Sequence, residues 1–545
     1  METKRKNIVF AVSSIVTSLF GVFTIQFFIP SIKKDAVEVL NVRFISLKNF
    51  LIFAALVIFF FLFFRYMDIA LHKIKLCDTN MQGTAPKIFW KAFISMMFVW
   101  GIWFWLYFPG AGMNDTINCI MSFHNDNQTL VYQLLIYYGI HGLTELTHSM
   151  RAAYAILTIF QMVLVALTIS WVIQWLERKN VRRCYIRFIV AYYALMPAVA
   201  DYSITLVKDT LYGICMFVVI PLIYEVMNHG GELVKSRKIY GALFIALTGI
   251  SVLRSNGKYI AIMVVVMLIF VKRNQIKSLC FILALLVVVN VCINIGEKNI
   301  VQNDAAFREA IGVPLAQIGA VLSVDGVLSE QDGEVINNIL PISAWKDSYR
   351  FSQVDPIKFH KDFNTQWLND NKGEFINTWI SVLKDNFPVC VKAYLCHTYG
   401  FWNLAPFNII STDYTQSYFA RINNNTNDDS FWGEFCAANY LYNNEIGQGT
   451  VKEKLDFAFK AAFVGNLALG SGGMFWVCVW LLVELAACRK YKVCCIFLPA
   501  VLNWGTMMVA APTSLVYRYS FYLLLSLPVL FFATLLQIKD NEIQR

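Results

Sequence analysis

Four short polar stretches interrupt an otherwise apolar chain of 545 residues, and each carries groups able to handle an anion or a proton. Asp115 lies in Phe108-Pro-Gly-Ala-Gly-Met-Asn-Asp-Thr116. Pro109, Gly110 and Gly112 break the preceding apolar segment and let the chain turn back along it. A carboxylate at that position could act as general base on a hydroxyl, with partial desolvation lifting its pKa toward neutral. Its plainer role is to cap the following helix together with Asn114. Asp126 and Glu145 occupy the same loop without a helix-breaking approach and are poorer candidates.

Lys208 and Asp209 open a later apolar segment. Lys208 reads as a phosphate contact with Asp209 as its orienter. Equally, the two form a locally satisfied pair, with Asp209 at a helix N-terminus where the macrodipole favours it. Arg254, Asn256 and Lys258 occupy a turn in which Gly257 supplies backbone freedom. Arginine offers phosphate a bidentate fork and lysine a point charge; both side chains could also simply snorkel to an interface. Arg518, in Val516-Tyr-Arg-Tyr-Ser520, reads the same way, with its tyrosines in an interfacial aromatic belt. Together the four stretches predict cations and a carboxylate at one membrane depth, suited to a lipid-linked phosphate beside a base.

The elements that must position these residues are membrane helices. The chain is 57% hydrophobic and 15% charged, with a mean hydropathy of +0.53. A soluble protein could not bury so much apolar surface. The near-continuous Ile, Val, Leu and Phe runs are helix-type spans, not the alternating strands of a barrel. The fold class is therefore an all-α polytopic membrane protein. The formal charge of +10 sits in short loops, the cytoplasmic topogenic signal, and does not indicate nucleic acid. The 13 cysteines show no metal-ligand spacing, and disulfides among Cys390, Cys396 and Cys436 stay open. Lys4-Arg5-Lys6 and the apolar run to Pro30 lack a small-residue cleavage site and read as a retained first span.

About twelve spans meet the roughly 20-residue criterion: 8–30, 50–71, 88–108, 151–176, 184–200, 206–228, 239–253, 259–271, 278–296, 457–486, 491–510 and 515–537. Basic loops such as Arg178–Arg187 and Arg489–Lys492 place both termini in the cytoplasm, while Lys33, Lys34, Arg43 and Lys48 form one discordant loop. The short seventh and eighth spans predict a tight hairpin around Arg254–Lys258. The chain divides into an N-terminal transmembrane region, 1–296, an extracytoplasmic domain, 297–455, and a C-terminal transmembrane region, 456–545. Within the outer loop 109–150, Thr129–Ile140 predicts an interfacial or re-entrant helix. Ala305–Val324 and Glu374–Tyr399 predict amphipathic helices that make the extracytoplasmic domain mainly helical. The run Asn423–Asn427 reads as a loop and Asp428-Asp429 as a solvated turn. Trp345, Trp367, Trp379, Trp402 and Trp432 could stack on sugar rings or serve as anchors and core.

Several of these motifs together resemble a bacterial family of multi-pass proteins in the GT-C glycosyltransferase superfamily, distantly similar to protein mannosyltransferases and lipid A aminoarabinose transferases. The resemblance rests on Pro109-Gly110 leading to Asp115-Thr116, then Thr205-Leu-Val-Lys208-Asp209-Thr210, Leu253-Arg254-Ser-Asn256-Gly257 and Tyr517-Arg518-Tyr519. Val313-Pro-Leu-Ala-Gln317 and Ile339-Leu-Pro341 add to it. It spans roughly residues 90–525, and the order of the motifs is its strongest part. It implies a GT-C-like bundle and an inverting enzyme that moves a sugar from a polyprenyl-phosphate donor to a hydroxyl of a cell-envelope acceptor, such as a glycan, teichoic acid, lipid or protein. The active site would face outward from a plasma (inner) membrane. Asp115 would be the catalytic base, Lys208, Arg254, Lys258 and Arg518 would bind the donor phosphate, and Asp209 and Asn256 would support them. No cofactor is implied, and a divalent cation stays open. Relatives commonly carry the acid after their first span; here it follows the third, as if two helices precede the usual core. A lipid-linked polysaccharide polymerase or ligase would need the same phosphate-binding face. A transporter or flippase is a third reading, disfavoured because no matched pair of broken helices and no mid-bilayer charge is evident.

Overall fold

The computed structural model describes residues 2–543 except 34–39, 41, 44, 78–84, 124–127, 229–232, 302–305, 405–434, 437, 440, 442–448, 467–469, 511–512 and 515. In lipid, a helix is the conformation that satisfies every backbone polar group within its own segment, and the long aliphatic runs adopt it throughout. Helices α1 (Glu2–Lys33) and α2 (Leu47–Lys73) pack on each other as an N-terminal pair. They are followed by α3 (Ala85–Leu106), α4 (Asn114–Met121), α5 (Leu130–Thr147) and α6 (Met150–Arg178). Next come α7 (Arg183–Leu195), α8 (Pro197–Ile204), α9 (Lys208–Asn228), α10 (Leu233–Leu253), α11 (Gly257–Val271) and α12 (Ile276–Gly296). After a run of short helices between Ala306 and Trp402, the chain returns as α13 (Val451–Asn466), α14 (Ser471–Ala487), α15 (Leu498–Ala510) and α16 (Phe521–Ile543).

Among the described residues, eight helices are long and apolar enough to cross a membrane, or nine if α7 and α8, bent by 53°, count as one. The expected count of about twelve is not confirmed among the described residues. Helices α11, with 15 residues, and α14, with 17, are apolar but shorter than the helices counted. The span expected over 184–200 bends where Pro197 begins α8, because proline offers no N–H to continue the α7 ladder. The span expected over 457–486 is interrupted: α13 ends at Asn466 and Gly470 is extended before α14 begins. The α10–α11 hairpin forms as expected, although α10 is 21 residues long, not 15.

Helices α9 and α16 are enclosed almost all round, which is why their sequences are apolar on every face. Tyrosines tie this centre together. The hydroxyl of Tyr193 donates to the Leu525 carbonyl at 2.6 Å, and Gln537 Nε2 donates to the Tyr224 hydroxyl at 2.8 Å. Residues between 306 and 402 build a separate core around Leu315, Ile318, Leu340 and Trp345. The helix expected over Ala305–Val324 is two, Ala306–Ala310 and Gly312–Ser323, and that over Glu374–Tyr399 is broken at Asn386 before Pro388. This region sits against one end of the bundle. Gln353 bridges to Thr513, and the Gly400 N–H donates to Ser514 Oγ at 3.0 Å. Trp345 and Trp402 are fully buried core residues and offer no free face to a sugar, while the partly buried Trp379 donates to Gln317 at 2.8 Å. Cys390 and Cys396 are buried free thiols, and Cys436 is buried as well. Asn423–Asn427, Asp428, Asp429, Trp432, Asp126 and Lys34 lie outside the described residues, as do two of the three Asn-x-Ser/Thr sequons of the sequence (Asn114, Asn127 and Asn424), those at Asn127 and Asn424.

Candidate functional site

A two-residue parallel ladder decides which polar stretches meet. Ala111 pairs with Thr205 and Gly112 with Leu206, so the chain leaving α3 lies beside the chain entering α9. Reaching this alignment requires Gly110 at φ +131°, where a Cβ would also stand 2.6 Å from Thr158 Oγ1. Thr116 Oγ1 donates to the Leu206 carbonyl and sits 2.9 Å from the Tyr132 hydroxyl of α5, which locks α4 against the ladder. Asp115 is thereby fixed in the first turn of α4, close to Lys208, the first residue of α9. It does not cap that helix: the N-cap is Met113, with no side-chain cap.

Arg518, in the turn Tyr517–Ser520 before α16, donates from Nη1 to Asp115 Oδ2 at 3.0 Å. Lys208 Nζ donates to Gln128 Oε1 at 2.5 Å, and the Gln128 amide also hydrogen-bonds Asp115. Burial by itself would push the Asp115 carboxyl up, but the charges of Arg518 and Lys208 and the bonds from Arg518 and Gln128 outweigh it. The carboxyl is held below its ordinary 3.8. This reverses the expectation of a value lifted toward neutral: two cations stand within reach of one carboxylate.

On the other side of the site, Arg254 and Asp209 form a buried ion pair through Asp209 Oδ1, while Asp209 Oδ2 has no hydrogen-bond partner among the described residues. Both arginines lie over the Tyr519 ring. Its centroid is 4.9 Å from the Arg254 guanidinium and 5.1 Å from that of Arg518. A flat aromatic ring attracts each cation. Arg254 also lies 5.6 Å from the Tyr212 ring, whose hydroxyl donates to Asn503 Oδ1 at 2.8 Å. Asn256 donates to Asn503 and Thr506 at 3.2 and 2.7 Å, fastening the hairpin turn to α15. Gly257 makes that turn possible, because a Cβ there would lie 1.8 Å from the Ile250 carbonyl oxygen.

Asp115, Lys208, Asp209, Arg254 and Arg518 are therefore gathered into one cluster, and Asn256 supports its edge. Lys258 takes another direction: its ammonium lies 3.4 Å from Asn294 Oδ1 of α12 and over the Tyr259 ring. Three cations face two carboxylates, a surplus of one positive charge (3 − 2) in a partly buried setting. An anion with several oxygens suits such a place, since arginine forks and a lysine ammonium can each take one. Gln128, Tyr212, Asn503, Thr506 and Tyr519 were not anticipated from the sequence as parts of this constellation. Tyr519 could have been found from its position beside Arg518; for the other four no linear signal exists. Asp355, from the region between 306 and 402, is close enough to Tyr519 to interact with it electrostatically.

Residues 120–544 match the family described as a family of unknown function (DUF6020), and the chain belongs to that family. The match takes in Lys208, Arg254 and Arg518 and begins five residues after Asp115 (120 − 115). No curated protein and no solved structure matches the chain.

Proposed function

We propose that this protein is a GT-C-type membrane glycosyltransferase that moves a sugar from a polyprenyl-phosphate carrier to a hydroxyl of a cell-envelope glycan, teichoic acid, lipid or protein. The observation that carries the reading is the convergence of Arg518, Lys208 and Arg254 around one end of the helix bundle, with Asp115 in contact with Arg518. Supporting it, the apolar helices suit a bilayer, in which a polyprenyl chain would dissolve, and the cations form one cluster instead of lining a path.

In this mechanism the arriving phosphate competes with Asp115 for Arg518. Once its guanidinium turns to the phosphate, Asp115 loses its strongest counter-charge and gains an anionic neighbour. Desolvation is then unopposed and its proton affinity rises. The carboxylate takes the proton of the acceptor hydroxyl as that oxygen bonds to the anomeric carbon. The bond from that carbon to the phosphate oxygen breaks on the opposite face, inverting the centre, and its electron pair stays on the phosphate. Lys208, Arg254 and Arg518 stabilise that developing charge. Asp209 orients Arg254, and Tyr519 holds the two arginines. The reading calls for no cofactor, and a divalent cation stays open. The active site would open on the outer face of the plasma membrane, with both termini in the cytoplasm.

The test is transfer by the purified protein in proteoliposomes, supplied with polyprenyl-phosphate sugars and with envelope fractions as acceptors. Transfer by the wild type and its loss in a folded Asp115→Asn variant is the expected result. A diphosphate-linked donor as the productive one would favour the polymerase or ligase reading. Movement of the lipid-linked sugar across the bilayer without transfer would overturn the enzyme.

A further inference from the structure

The end of the bundle opposite Asp115 holds a second cluster that the reaction above does not use. Helix α16 starts beside Arg518, the partner of Asp115, and runs to the other end of the bundle, where its Lys539 donates to the His72 carbonyl of α2. Asp68 and His72 are four residues apart on one face of α2. Glu484 and Cys488 are four residues apart at the end of α14. Ligand atoms of Asp68, His72 and Cys488 all lie within 4.8 Å of one another. Glu484 is fully buried, its Oε1 accepts from Trp480 Nε1 at 3.2 Å, and its Oε2 has no hydrogen-bond partner among the described residues.

A cation already answers this cluster. Lys6 of α1 donates to Asp68 Oδ1 at 2.7 Å and also interacts electrostatically with Cys488 and Glu484. Neighbouring bonds fix the frame: Arg5 donates to the Ala486 carbonyl at 3.0 Å, and Lys539 donates to the His72 carbonyl. Two i, i+4 pairs on facing helices, supplying thiolate, imidazole and carboxylate, make a mixed donor set that suits zinc or cobalt better than magnesium or calcium. Tetrahedral ligands sit about 3.5 Å apart, so the three groups need to close by only about an ångström.

The geometry points to a transition-metal site formed by Asp68, His72, Cys488 and Glu484, in which a divalent ion of the zinc class exchanges with the Lys6 ammonium. The exchange balances charge locally: the metal enters as Lys6 withdraws and Cys488 gives up its thiol proton to solvent. Because Lys6 is on α1, Asp68 on α2 and Cys488 on α14, the occupant decides how the N-terminal helix pair is fastened to the bundle.

The experiment is a titration of the purified full-length protein in detergent with cobalt(II), followed by displacement with zinc(II). A saturable near-ultraviolet thiolate-to-cobalt band is expected, lost on adding zinc and absent in Cys488→Ser. Lys6→Met should bind cobalt more tightly by about tenfold or more, the scale on which a group outside the ligand set moves metal affinity. A gain of that kind cannot come from misfolding. No saturable band in the wild type, a band unchanged in Cys488→Ser, or an affinity unmoved by Lys6→Met would each overturn the site.

Discussion

Arg518 Nη1 stands 3.0 Å from Asp115 Oδ2 although 403 residues separate them in the chain. That contact joins the loop leaving α3 to the turn entering α16, and each partner is only partly open to solvent, 25% for Asp115 and 16% for Arg518. A pair so placed serves both stability and the proposed chemistry, and the two roles separate by substitution.

Asp115→Asn keeps the shape of the side chain and removes its charge. Transfer of sugar should fall by at least about 100-fold, the usual contribution of a positioned base. Arg518→Met should also abolish transfer. The exchanged pair Asp115→Arg with Arg518→Asp should melt closer to the wild type than either single change while staying inactive. Thermal melts in detergent and the reconstituted assay check both halves.

The pH dependence of stability follows from the sign of the Asp115 shift. Its carboxyl is held below the ordinary 3.8, first against desolvation and by virtue of Arg518 and Lys208. A group lowered in the folded state favours folding when ionised, so its contribution is complete above roughly pH 5 and is lost as pH falls below 3.8 through the depressed value. The melting difference between wild type and Asp115→Asn should therefore be flat near neutrality and shrink in acid. A difference that grew on acidification would contradict the assignment.

Asp209 is 2% exposed and Arg254 13%, and they answer each other directly. Removing one member of a buried pair strands the other charge, at a cost of about 3–5 kcal/mol. Arg254→Met should destabilise by that order because it leaves Asp209 unpaired. Arg254→Lys should keep more stability than activity, because an ammonium replaces the charge without the fork. Chemical denaturation alongside donor binding distinguishes the two losses.

Gly257→Ala brings a methyl group to 1.8 Å from the Ile250 carbonyl oxygen, a contact the hairpin can relieve only by opening. Loss of the folded protein is expected, read as absence of a monodisperse peak after solubilisation. Gly473, at the start of α14, has nothing within 4 Å of its would-be Cβ, so Gly473→Ala should behave like the wild type and serves as the control.

Tyr519→Phe should retain most donor affinity, since the ring carries both cation–π contacts and only the 3.4 Å hydrogen bond from Arg518 Nη2 to the hydroxyl is lost. Tyr519→Ala removes the ring shared by Arg254 and Arg518. Weaker donor binding by about tenfold is expected, from roughly 0.5–1 kcal/mol per cation–π contact in a partly buried site. Equilibrium binding of a fluorescent polyprenyl phosphate measures it.

Long aliphatic runs determined the membrane-helix class from the sequence alone, because a bilayer leaves such a segment one conformation that satisfies its backbone. The helix breakers at Pro109–Gly112 and Arg254–Gly257 likewise located two of the site's turns, since backbone preferences are local. Helix boundaries were less legible: the bend at Pro197 and the break at Gly470 depend on how neighbouring helices accept the chain. Which charges meet was decided only in three dimensions. The Ala111–Thr205 ladder puts Asp115 beside Lys208, and the Tyr519 ring takes both Arg254 and Arg518, while Lys258, four residues along the same turn, faces Asn294 instead. The four possible metal ligands on α2 and α14 were hidden for the same reason. Spacing along a chain records which groups share a helix face, whereas a binding site depends on which faces the fold presses together.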